Sequence, residues 1–76
     1  MDREIFGSTF LVDQTWYFRF ATGGGALVPL TCGSGADQTK LLNGAAVRIV
    51  GRLVQDHRGC TTEAYASAFE IIGSRA

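Results

Sequence analysis

Tyr17 and Arg19 alternate with Phe18 and Phe20 in the stretch TWYFRFAT, and Arg48 and Arg52 alternate with Val47, Ile49 and Leu53 in AAVRIVGRLV. In an extended chain successive side chains point to opposite faces, so the bulky apolar set turns inward and the tyrosine and the arginines turn outward. An outward aromatic ring can stack on a base, a contact worth about 1–3 kcal/mol, and outward guanidinium groups can follow phosphates. If the sheet coils, these residues form one basic and aromatic strip with Trp16, His57 and Arg58 at its rim. The alternative is that Arg48 and Arg52 are ordinary solvated strand residues and that Trp16 belongs to the core.

The remaining reactive side chains do not assemble into catalytic sets. His57 is the sole histidine, and its sequence neighbour Asp56 shares a tight turn with it, a poor geometry for an acid–base pair. Glu63 and Glu70 are oddly spaced in one strand, which sends them to opposite faces and argues against a carboxylate pair. Cys32 and Cys60 lack the CxxC spacing or paired histidines of a metal site and are expected to be free thiols, a disulfide being the other option. Gly23-Gly24-Gly25 and Gly33-Ser34-Gly35 lie in neither of the glycine patterns that cradle phosphates, so they serve turns. No catalytic residue, metal or cofactor is expected, and no small-molecule substrate.

Seven basic and seven acidic residues cancel, so no global positive field draws in a polyanion, and any such site must come from local clustering. With 46% hydrophobic residues, 18% charged residues and ten glycines in 76 residues, the composition favours a compact, turn-rich β fold over a disordered segment. No apolar run reaches the length of about 18 residues that a membrane helix needs, and MDREIF is too charged to open a signal peptide, so the expected location is cytoplasmic.

The elements that must position the strip follow from local patterns. Residues 2–13 read as a short or interrupted first strand of open register, and residues 15–22 as the clearest early strand. Gly23-Gly24-Gly25 connects it to a third strand over residues 26–32, in which Pro29 marks an edge or a bulge. In ADQTKLLNG, Asp37 can cap one short helix, Gly44 can stop it, and Leu41 and Leu42 would hold it on the sheet. The fourth strand starts near Ala45, and Gly51 on its inward face suggests a bend, a bulge or a close backbone approach. Asp56-His57-Arg58-Gly59 has the chemistry of a tight hairpin turn. In the last strand, residues 61–72, Tyr65, Phe69 and Ile71 are read on one face and Ala64, Ala66 and Ala68 on the other. Residues 1–76 thus form a single all-β domain, a five-stranded OB-fold barrel with one short helix between the third and fourth strands. A split sandwich of the same elements is the main alternative.

The segments VRIVGRL and TTEAYASAFEIIG resemble the last two strands of bacterial single-stranded DNA-binding proteins, which carry a V-x-V-x-G-R-L strand and a T-T-E-V-V-A ending. Val47, Ile49, Gly51, Arg52 and Leu53 match the first pattern, and Thr61, Thr62, Glu63 and Ala66 match the second, with Gly73 closing the strand. YFRFAT and LTCGSGAD are similar to the family's second strand and to the segment after the third. The related PriB-like proteins, small OB-fold dimers, are similar in length. The family's N-x-V-x-L-x-G first strand has no counterpart here, and its long basic loop between the last strands is reduced to Asp56–Gly59. The resemblance implies non-catalytic binding of single-stranded DNA, with RNA as an alternative, in replication, repair or recombination. A small barrel with unpaired edges is further expected to form a homodimer or higher homo-oligomer. The rival expectation is an OB-fold module that binds another protein through the same face, which net neutrality favours.

Overall fold

The computed structural model describes residues 2–21 and 26–73, so the Gly23-Gly24-Gly25 connection lies outside the described residues. Five strands are formed: β1 Arg3–Val12, β2 Thr15–Phe20, β3 Val28–Cys32, β4 Ala45–Gln55 and β5 Thr61–Gly73. They close into a barrel in the order β1-β2-β3-β5-β4, with β4 pairing back onto β1. All contacts are antiparallel except β3 with β5, which is parallel. This is the strand order of an OB-fold. No helix among the described residues is long and apolar enough to cross a membrane.

Alternation sets the core. In β4 Ala45, Val47 and Ile49 are fully buried, while Arg48 and Arg52 face out. Phe18 from β2, Val28 and Leu30 from β3 and Ile5 from β1 meet them inside. β1 is one continuous strand of ten residues rather than a short or interrupted one. Its inward residues are Ile5, Gly7 and Thr9. A side chain at Gly7 would run into the Phe18 ring and the Arg19 carbonyl, so the glycine makes the room that Phe18 fills. Thr9 is fully buried, and its hydroxyl donates to the Leu42 carbonyl at 2.9 Å, which satisfies the group where water cannot.

The turns follow local chemistry. At the β4–β5 turn the Asp56 Oδ1 accepts from the Arg58 and Cys60 amides at 2.8 and 3.0 Å, and Gly59 takes φ 84°. At the β1–β2 turn Asp13 and Gln14 both have positive φ, 49° and 66°, as a two-residue type I′ hairpin demands. The expected helix is a single 3-10 turn, Gln38–Lys40. Asp37 caps it, and hydrogen bonds from the Thr39 hydroxyl and amide hold the Asp37 carboxyl below its usual range. So short a segment cannot repay helix nucleation, and the backbone is extended again at Leu41. Leu41 packs into the core, but Leu42 is 47% exposed, contrary to the expectation that both would hold the segment down.

One irregularity changes how β5 is read. Val50 pairs with Ala68 and the next residue, Gly51, pairs with Ala66, so Ser67 is an extra residue in the ladder. Its hydroxyl lies 2.8 Å from the Val50 carbonyl and 2.9 Å from the Asp2 carboxylate. A Cβ at Gly51 would overlap the Tyr65 carbonyl, so the glycine is the close backbone approach foreseen for it. Because Ser67 shifts the alternation, Ala64 and Ala66 point inward and are fully buried, whereas Phe69 and Ile71 pack on the core further along. Tyr65 therefore does not share a face with Phe69 and Ile71; it points out, opposite Arg52, and Ala68 is exposed on the same outer side.

Candidate nucleic-acid interface

Two arginines lie over aromatic rings on the outside of the barrel. The Arg19 guanidinium on β2 sits 5.4 Å from the centroid of Phe10 on β1, and the Arg52 guanidinium on β4 sits 5.0 Å from that of Tyr65 on β5. Each pair leaves a flat cation beside a ring, a surface that suits both a base face and a phosphate. Neither arginine has a carboxylate within salt-bridge distance among the described residues.

The strands between the pairs link them along a continuous band around the outside of the barrel. Tyr17 lies opposite Phe10 on one side and opposite Pro29 of β3 on the other. Thr31, two residues beyond Pro29, lies opposite Tyr65, which in turn lies opposite Arg52. The run Phe10, Tyr17, Pro29, Thr31, Tyr65, Arg52 thus crosses from β1 through β2, β3 and β5 to β4. An open depression lined by Ser8, Phe10, Arg19 and Gly44 marks one end, and another lined by Arg3, Arg52, Leu53 and Gln55 marks the other. A Cβ at Gly33 would overlap the Tyr65 hydroxyl, so the bare backbone at the end of β3 leaves space for the phenol to occupy. Glu63, outward on β5, accepts a hydrogen bond from the Thr31 hydroxyl beside this ring.

Arg48 stands apart from the strip expected of it. It lies opposite Phe6 of β1 and Glu70 of β5, and its guanidinium bonds Glu4 at 3.0 Å and Glu70 at 3.3 Å. Its charge is thereby matched on the β1–β4–β5 side of the barrel, away from β2 and β3. Trp16 belongs to the inward row of β2 and packs, partly buried, against the core. His57 and Arg58 are exposed at the β4–β5 turn, where Arg58 lies 3.6 Å from the Asp56 carboxylate.

Phe10 and Tyr65 were not anticipated as outward partners. In β1 the inward positions hold a glycine and a threonine while Phe6 and Phe10 face out, so size and polarity mislead. For Tyr65 the signal was Gly51, because a bulge placed opposite it reverses the faces on its two sides. Cys32 is half-buried, which pushes its thiol pKa up by desolvation, and Cys60 is exposed. Among the described residues no group of His, Cys, Asp and Glu is disposed to hold a metal ion. Comparisons with protein-family models, curated proteins and solved structures give no match for this chain. What fold and surface define together is the class: a small closed barrel of OB type with arginine and aromatic side chains on its outer face.

Proposed function

We propose that this protein binds single-stranded nucleic acid, DNA in the first instance, without catalysis, on the face that runs from Phe10 and Arg19 to Tyr65 and Arg52. The observation that carries this reading is the pair of arginine–aromatic units joined by Tyr17 across β2 and β3. Stacking on rings and counterion release at guanidinium groups are the two terms that hold single strands on OB-folds, and both have side chains for them here. The resemblance of VRIVGRL and TTEAYASAFEIIG to single-stranded DNA-binding and PriB-like proteins supports the same reading and, with it, a role in replication, repair or recombination in the cytoplasm. Fluorescence anisotropy of labelled oligo-dT at two salt concentrations tests it. Binding that weakens as salt rises is expected, and an absence of binding at low salt with both oligo-dT and oligo-dC refutes it.

A second reading, a protein-interaction module, is favoured by the neutral net charge and by the exposed Phe6 and Ile72 on the β1–β4–β5 side. The same side is where we place self-association. Phe6, Ala46, Val50, Ala68 and Ile72 surround the Glu4–Arg48–Glu70 ion pairs there, and a second copy would cover them.

A further inference from the structure

We infer that Glu63 makes this face prefer bases that carry an exocyclic amino group, cytosine foremost, over thymine; the inference rests on the single-strand binding proposed above. Glu63 and Tyr65 both point outward on β5, about 7 Å apart as alternate residues of a strand are. A base stacked at Tyr65 therefore presents its edge toward the carboxylate. Thr31 donates to Oε2 of Glu63 and so fixes the side chain, while Oε1 has no hydrogen-bond partner among the described residues. No arginine or lysine among them lies within salt-bridge distance of it either.

A carboxylate held in this way repels phosphate, so the strand must cross β5 with its bases, rather than its backbone, against Glu63. The edge that meets it then decides the energy. Cytosine offers its N4 amino group, a donor that a carboxylate accepts. Thymine offers O4 at the same place, an acceptor facing an acceptor, and its one donor on that edge, N3–H, lies a position further round the ring. Thr31 uses one lone pair of Oε2, so Oε1 is the oxygen most open to a base donor. Adenine and guanine also carry amino donors, N6 and N2, so the two pyrimidines give the cleanest comparison.

The test compares oligo-dC and oligo-dT of equal length above neutral pH, by anisotropy, on the wild-type chain and on Glu63→Gln and Glu63→Ala. The two pyrimidines stack alike, so their difference reports the edge. Wild type should bind oligo-dC about tenfold more tightly than oligo-dT. Glu63→Gln keeps the side chain's shape, and its amide either accepts from Thr31 and turns its NH2 to the base or donates to the Thr31 hydroxyl and turns its oxygen there, so the preference should shrink to about twofold or less. Glu63→Ala should weaken oligo-dC binding and strengthen oligo-dT binding, a crossing that loss of a strand contact would not produce. Equal wild-type affinity for the two oligomers overturns the inference and leaves single-strand binding standing. So does a variant that raises both affinities by one factor, since that is plain charge repulsion. If neither oligomer binds, the functional reading and this inference fall together.

Discussion

Tyr65 and Arg52 are the side chains on which the proposed surface depends most, and their losses should read differently. Tyr65→Ala removes a stacking ring, so affinity for single strands should fall by about 1–3 kcal/mol while the dependence of log K on log salt keeps its slope. Arg52→Ala removes a phosphate partner, so the slope should flatten by about 0.7. Arg48→Ala should leave that slope unchanged, because Arg48 already serves Glu4 and Glu70. A salt series on the three variants, each checked for folding, decides between them. Gly33→Ala should lift the Tyr65 phenol from the end of β3 and weaken binding at little cost in stability, since the overlapping atom ends a side chain that can move. Thiol chemistry gives an independent check of packing: a maleimide should label Cys60 before Cys32, whose burial lowers its thiolate fraction at neutral pH. The sequence disclosed Tyr17 and Arg19, because Phe18 and Phe20 between them have no face but the inner one. It concealed Phe10, because nothing local announces that Gly7 and Thr9 occupy the inside of β1.

The elements were legible wherever their chemistry is local. The β4–β5 turn needs only Asp56 to accept amides and Gly59 to take a positive φ, and both act within a few residues. Gly44 does take a positive φ, 82°, but not as the helix stop expected of it, since the 3-10 turn already ends at Leu41. The helix was overread because capping residues flank it while its length falls short of nucleation. The β1–β2 turn was not read at all, since Asp13-Gln14 lacks the glycine that type I′ geometry prefers. That mismatch is measurable. Gln14→Gly relieves a left-handed conformation at φ 66° and should stabilise the chain by about 1 kcal/mol in chemical denaturation. The gain is the relief of the side chain less the extra backbone entropy that glycine loses on folding. Gly51→Ala should act in the other direction and more strongly, on the order of 3 kcal/mol, because its Cβ meets backbone rather than the end of a side chain.

At the scale of the molecule, closure of the barrel satisfies most strand edges, so unpaired edges no longer supply the reason for self-association. The self-association proposed above rests instead on outer apolar residues: Phe6 is 50% and Ile72 54% exposed on one side of the barrel. Light scattering at micromolar concentration should give a mass of at least two chains, and Phe6→Glu should reduce it to one without unfolding the barrel. A wild-type monomer would contradict that assignment of the β1–β4–β5 side.

Ser67 has a significance beyond the faces it assigns. Were it deleted, Ala68 and Ala66 would follow one another opposite Val50 and Gly51, and every other side chain would keep its side. What would vanish is the local coil that an extra residue brings at this point, one of three register shifts along the β4–β5 pair. A β5 less coiled there would be less able to reach β3 while β4 reaches β1, and any edge left unpaired is a template from which cross-β fibres grow. Deletion of Ser67 should therefore show first as lost solubility in light scattering rather than as a changed ligand preference.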